Sequence, residues 1–241
     1  MNWIYISPHL DDAILSAGGQ IYEQVRAGNT VEIWTLFCGF PEDENISPLA
    51  QSLHSEWGFH SAEETVRSRR EEDRRAAEIL GARTVYFDFL DCIYRRGREG
   101  EWLYSSNTFV PPHADDADLL VRIKNALLKR LVDGDNLVCP LAIGGHVDHV
   151  IARRATEETG VRLWFYADIP YLLDNPSALD PLQKTMQQSE KQRISRKGLI
   201  AWQEGAAAYS SQISLEFESH KKMRKAIARY GRRGVRLWKL P

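Results

Sequence analysis

Short apolar runs alternate with helix-period segments through the first two thirds of the chain, and that alternation leaves few architectures open. Trp3-Ile4-Tyr5-Ile6 is an apolar run closed by Ser7-Pro8, too short for a helix, so it reads as a buried strand. From Asp12 the apolar residues Ile14, Ala17, Ile21, Tyr22 and Val25 keep a helical spacing, and Gly28-Asn29 ends it. Thr30 to Phe37 is a second β-rich run. Ala62 to Leu80 is a charged helix stopped by Gly81, and Thr84 to Phe87 is a third strand. Asp116 to Leu131 carries Leu119, Leu120, Ile123, Leu127 and Leu131 on one stripe. Asn136 to Leu141, Val147 to Thr159 and Arg162 to Ala167 then read as strand, helix, strand. Strands that take turns with helices build a mostly parallel sheet with helices on both faces, an α/β fold. At 241 residues, one such domain is the simplest count.

In such sheets ligands bind beyond the carboxyl ends of the strands. That directs attention to Ser7–Ala13, after the first strand, and to Ala142–His149, after the fourth. Gly39–His60 and Asp88–His113 read as long irregular loops that frame a pocket, and the polar stretch Asp174–Arg196 reads as a mobile insertion. The bulk composition is that of a globular protein, with 43% hydrophobic and 27% charged residues. The net charge of −2 is unevenly spread. Nine Lys or Arg and no acid lie in residues 220–241, against 22 basic and 33 acidic side chains in residues 1–219. We read residues 1–219 as the domain and 220–241 as a basic tail packed on it or extending from it. No nucleic-acid-binding motif accompanies the tail, so no nucleic-acid partner is expected. Cys38, Cys92 and Cys139 are odd in number and form no CxxC pair, as expected of reduced thiols in the cytoplasm. The start MNWIYISPHLDD lacks the features of a signal peptide, and no window holds 18 apolar residues, so no transmembrane helix is expected.

The two strand-end loops read Ser7-Pro8-His9-Leu10-Asp11-Asp12 and Gly144-Gly145-His146-Val147-Asp148-His149. Histidine nitrogen and carboxylate oxygen suit zinc, and a catalytic zinc takes three protein ligands and leaves one position open. His9, Asp12 and His149 make such a set, for one Zn2+ per chain. Asp11, next to a ligand but turned differently along the backbone, suits a general base for a metal-activated water. His146, as an imidazolium, suits the oxyanion of an attacked amide or the leaving amine. Asp148 suits a hydrogen bond that orients His146. Taken alone, Asp11-Asp12 is equally a helix N-cap pair and HxDH a chance spacing; their fall at equivalent strand ends joins them into one site. After the fifth strand, Tyr166 and Asp168 offer a hydroxyl and a carboxylate at the same edge, suited to sugar binding.

SPHLDD with HVDH resembles the paired signatures of the PIG-L (LmbE-like) family of zinc-dependent N-deacetylases. The resemblance continues through Arg69, Glu72, Ala76, Leu80 and Gly81 and reaches Tyr209-Ser210-Ser211-Gln212. It implies a Rossmann-like fold, zinc on His9, Asp12 and His149, Asp11 as base, and His146 with Asp148 beside them. It also implies sugar-hydroxyl contacts from Arg69 and Asp91. Leu10 and Ala13 depart from the family pattern, which has proline and glutamate there. The expected activity is hydrolysis of the N-acetyl amide of a sugar or glycoconjugate, releasing acetate and a free amine.

Two rivals differ in class. Aspartate-rich strand ends can hold two metals, as in phosphoesterases, but only one full ligand set is legible. A non-catalytic sugar- or nucleotide-binding module would want GxGxxG after the first strand, whereas Gly18-Gly19 fall inside the helix, where they suit close packing of that helix on the sheet. The sequence does not set the oligomeric state, and a homo-oligomer is left open.

Overall fold

The computed structural model describes residues 1–188 and 191–239. Five strands are parallel: β1 (Asn2–Ser7), β2 (Thr30–Thr35), β3 (Arg83–Tyr86), β4 (Asn136–Pro140) and β5 (Leu163–Tyr166). Two short strands, β6 (Gln187–Gln188) and β7 (Trp238–Lys239), extend the β5 edge antiparallel, so the sheet order is β3-β2-β1-β4-β5-β7-β6. The helices are α1 (Asp12–Arg26), α2 (Pro48–Trp57), α3 (Ala62–Leu80), α4 (Ala117–Leu128), α5 (Val147–Glu157), the single turns α6 (Tyr171–Asp174) and α7 (Asp180–Gln183), then α8 (Arg196–Ala207), α9 (Ile213–Phe217) and α10 (His220–Gly231).

Strand side chains alternate between two cores. Ile4, Ile6, Leu137, Cys139 and Phe165 face the layer of α4 and α5, while Tyr5, Val31, Ile33 and Val138 face α1, α3, α8 and α10. This is why the strands read as continuous apolar runs: both faces are buried. The chain order runs outward from β1 to β3, then returns to β4 on the other side of β1. Loops leaving β1 and β4 therefore turn apart and open a crevice between them. Both histidine motifs sit at that switch point.

Three sequence expectations change. Gly39–His60 is not all irregular: it holds α2, capped by the Ser47 side chain at its start and by Gly58, at φ 81°, at its end. The stretch 174–196 is not without structure, since it contains α7 and β6. Gly18 and Gly19 admit another helix rather than the sheet. A Cβ on Gly19 would lie 2.8 Å from the Trp202 ring of α8, and one on Gly18 would meet that ring more closely still. The Trp202 indole N–H donates to the Ile14 carbonyl at 2.7 Å, locking α8 against α1. The basic segment from His220 forms α10, whose Met223 and Ile227 are fully buried, followed by β7 on the edge of β5. No helix among the described residues is long and apolar enough to cross a membrane.

Candidate metal centre and active site

Chain ends decide where each donor points. Ser7 closes β1; its Oγ donates to the His9 carbonyl at 2.6 Å and accepts the Ala13 N–H at 3.0 Å, which folds His9 and Asp12 into one tight turn. Asp12 opens α1, and its Oδ2 accepts the His9 backbone N–H at 2.8 Å. After β4 the chain passes through Ala142 at φ 58° and Gly144 and Gly145 at φ 93° and 76° before α5 begins. Glycine tolerates that left-handed backbone freely, and the turn delivers His146 as N-cap of α5 and His149 in its first turn.

The result is a single centre. Asp12 Oδ2 lies 3.3 Å from His9 Nδ1, and Asp12 Oδ1 lies 3.3 Å from His149 Nε2. Each histidine turns one nitrogen to Asp12 and the other to a buried carboxylate: His9 Nε2 to Asp148 Oδ2 at 3.0 Å, and His149 Nδ1 to Asp168 Oδ1 at 2.8 Å. Carboxylates on the far nitrogens are the usual supports of metal-bound histidines. Burial opposes charge on both rings, but Asp91, Asp12 and Asp148 raise the His9 pKa well above the ordinary range, and Asp12 and Asp168 raise that of His149 to about 10. Despite its burial, Asp12 is held well below the ordinary carboxylate range, chiefly by His149. The cluster calls for positive charge at its middle. A divalent metal on His9, Asp12 and His149 meets that demand, so the residues fit the metal that the motif pair implies.

The remaining side chains surround this centre. Asp11 is the N-cap residue of α1; its carboxylate has Arg69 Nη2 at 3.6 Å, and burial together with Asp12 pushes its pKa well up. Arg69 also lies 4.6 Å over the Trp57 ring. Asp91 caps the Ile93 N–H and stands 3.8 Å from His9 Nε2. An open cleft with a cavity volume of about 190 Å³ reaches this group, and Arg69, Asp91, Trp57, Phe109, Tyr171, Gln212 and Glu216 line it with His9, Asp11, Asp12 and His146.

Four expected roles are corrected by these contacts. Tyr166 is fully buried with its hydroxyl donating to the Ile6 carbonyl at 2.9 Å, so it packs beneath the cleft and cannot touch a sugar. Asp168 is also enclosed, and it serves His149 rather than a substrate. Asp148 aims its carboxylate at His9, the Cys92 N–H and Arg95, not at His146; only its backbone N–H reaches His146 Nδ1, at 3.3 Å. His146 is not an imidazolium: burial, with His9 second, lowers its pKa to about 3. Because Nδ1 accepts a backbone N–H, the ring proton stays on Nε2. Ala13, at the glutamate position of the family pattern, is fully enclosed, and a carboxylate there would be buried among apolar side chains.

Several site residues lay outside the sequence reading. Arg95 sits 2.6 Å from Asp148 Oδ1 and 3.2 Å from Asp116, compensating a carboxylate with no exposed surface. No local pattern marks it out from Arg96. Trp57, Phe109 and Tyr171 come from α2, from the 88–113 loop and from α6, and only tertiary folding gathers them. Gln212 belonged to the quoted Tyr209–Gln212 segment, and Glu216 follows one helical turn later, a spacing that could have found it.

Several proteins of known structure or activity are similar to this chain. Teicoplanin deacetylase Orf2, solved in a zinc-inhibited form, superposes with TM-score 0.85 at 28% identity, covering 100% of this chain and 98% of that one. The 2'-N-acetylparomamine deacetylase of Niallia circulans is 27% identical over 186 residues, and that of Streptomyces fradiae 30% over 173. Each of those alignments takes in 70% of this chain, and they span 67% and 57% of the two relatives' own lengths. Residues 4–159, which hold both histidine motifs and all of α3, match the family described as GlcNAc-PI de-N-acetylase, and the chain belongs to that PIG-L family.

Proposed function

We propose that this protein is a zinc-dependent N-deacetylase that hydrolyses the acetamide of an N-acetylated sugar or glycoconjugate. The observation that carries the reading is the pair of histidines, each with one nitrogen on Asp12 and the other on its own buried carboxylate, with His9 and Asp12 lining an open cleft and His149 buried behind them. The similarity to acetylated-aminoglycoside and glycopeptide deacetylases supports the substrate class.

His9, Asp12 and His149 would hold the zinc ion, which would supply a Lewis acid for the acetamide carbonyl and for the attacking water. Asp11, whose pKa is pushed up, takes a proton from the attacking water and returns it to the leaving nitrogen. Arg69 neutralises the resting Asp11 carboxylate and keeps it at the cleft floor. His146 Nε2–H donates to the oxygen that becomes negative as water adds, and does so as a neutral group. Asp148 and Asp168 hold the two ligand rings. The phosphoesterase rival wants a second metal bridged by carboxylates, and Asp148 beside His9 is already committed to Arg95. Three buried, unpaired cysteines suit the cytoplasm. The substrate is a small molecule rather than nucleic acid, and a homo-oligomer stays compatible with the fold.

Metal content and acetate release test this directly. Purified protein should hold about one zinc per chain, and His149→Ala should lose it. Asp11→Ala should keep the metal and lose about 10²–10⁴-fold in turnover, the range for a general base. Near-normal acetate release from Asp11→Ala would remove the assigned base.

A further inference from the structure

Glu216 is a cleft carboxylate with neither a task in the chemistry above nor a hydrogen-bond or ion-pair partner among the described residues. It projects from α9, which buries Ile213 and Phe217 in the core and leaves Ser214 and Leu215 exposed. The chain before α9 is bolted to α3. The Tyr209 hydroxyl donates to Asp73 at 2.7 Å, while the Ser210 hydroxyl, the Ser211 N–H and the Ser211 hydroxyl all donate to Glu72, at 2.6 to 2.9 Å. After α9 the backbone turns through Glu218 at φ 61°, and the Ser219 side chain caps α10. A five-residue helix held at both ends leaves Glu216 facing the cleft. No hydrogen bond or ion pair holds its carboxylate among the described residues. Burial and the nearby Asp12 raise its pKa.

Four carboxylates line the cleft, Asp11, Asp12, Asp91 and Glu216, and Arg69 is its one Lys or Arg side chain. Asp12 is a metal ligand, Asp11 faces Arg69, and Asp91 caps Ile93 beside His9. Among the described residues Glu216 alone of the four has no hydrogen-bond or ion-pair partner, Arg69 acting on it only at a distance, and no lysine or second arginine lines the cleft for a phosphate. An unpaired carboxylate in a partly dry cleft favours a ligand that brings a cation and N–H donors.

Resting on the deacetylase reading, we propose that Glu216 is a substrate-positioning residue that binds a free ammonium group, so that the preferred substrate is an amino sugar carrying an unacetylated amine next to the ring that bears the acetamide. The ammonium displaces water and compensates the carboxylate, and the acetamide is thereby set over the metal centre. Phosphate-linked sugars lack a partner at this position.

Two disaccharides that differ in one group test it: GlcNAc–GlcN, with a free amine, and GlcNAc–Glc, with a hydroxyl in its place. Metal-loaded wild type and Glu216→Gln are titrated calorimetrically with both at neutral pH, where the carboxylate and most of the sugar amine are charged, and acetate release is followed in parallel. Wild type should bind the amine-bearing sugar about 10-fold more tightly, the scale of one charge-assisted hydrogen bond, and Glu216→Gln should lose that ratio. A merely structural glutamate would weaken both sugars alike and leave the ratio intact. Equal affinity in wild type, no binding of either sugar, or a ratio that survives Glu216→Gln overturns the proposal. A ratio lost in Glu216→Gln while wild type releases no acetate would uphold the ammonium site and overturn the deacetylase reading instead.

Discussion

Asp148 and Asp168 differ from the other carboxylates of the centre in having no surface toward the cleft. Their work is done through His9 and His149, whose tautomer and ring angle they set. Removing such a support loosens the ligand without removing it. Asp168→Ala should therefore lower zinc affinity by about 10–100-fold, read by competition with a chromophoric chelator; unaltered affinity would mean that His149 needs no help. Asp73 makes a different residue-scale prediction. It is buried in α3, and desolvation raises its pKa from 3.8 to about 6 even though Tyr209 donates to it. A raised carboxyl pKa means the folded state holds the proton longer than the unfolded chain does. The stability it contributes is complete below pH 3.8 and is lost as pH rises to about 6, on the order of 3 kcal/mol. Asp73→Asn should flatten the fall in melting temperature between those two pH values, and an identical fall in both proteins would assign the titration to another group.

At the scale of elements, the stability of the layer behind the site depends on how closely α1 meets α8. Asp11 and Asp12 open α1, and the far side of that helix is pressed on Trp202 at Gly18 and Gly19. Gly18→Ala inserts a methyl group where the indole already lies. Such overpacking costs about 1–3 kcal/mol, so a lower denaturation midpoint is expected in urea, with metal content retained because the Ser7–Asp12 turn is anchored independently. A stability equal to wild type would show that α8 can slide. The alternation of strands and helices made most elements legible, and boundaries differ by a few residues at most: the helix expected from Asp116 to Leu131 spans Ala117–Leu128. α2 was missed because its sequence, PLAQSLHSEW, carries only a thin apolar stripe. β6 and β7 were missed because two residues cannot show a period.

For the whole molecule, the basic segment from His220 is the sharpest case. Its charge left open a tail packed on the domain or extending from it; the apolar residues Met223 and Ile227 recur at helical spacing and are fully buried, and Trp238 is only 5% exposed on the edge of β5. Burying three such side chains is worth about 1.5–3 kcal/mol each, comparable in sum with the whole stability of a domain. A chain ending at Glu218 should melt far lower or fail to stay soluble, since it also bares the β5 edge. A truncated protein melting within a few degrees of the full chain would make the segment an appendage.

The sequence by itself determined the α/β architecture and the two strand-end motifs, and it offered His9, Asp12 and His149 as the candidate ligands. Hydrophobic period and the short reach of a strand-end turn are local properties, and a ten-residue window expresses them. Which group each carboxylate serves was decided only by the tertiary structure. Asp148 and Asp168 lie 139 and 19 residues from the histidines they hold, and Arg95 lies 53 residues from Asp148. Such partnerships form when β1, β4 and β5 align side by side. Hydrogen-bond direction and burial then assign one carboxylate to a ligand, another to the cleft and a third to an arginine, although along the chain all three are the same residue type.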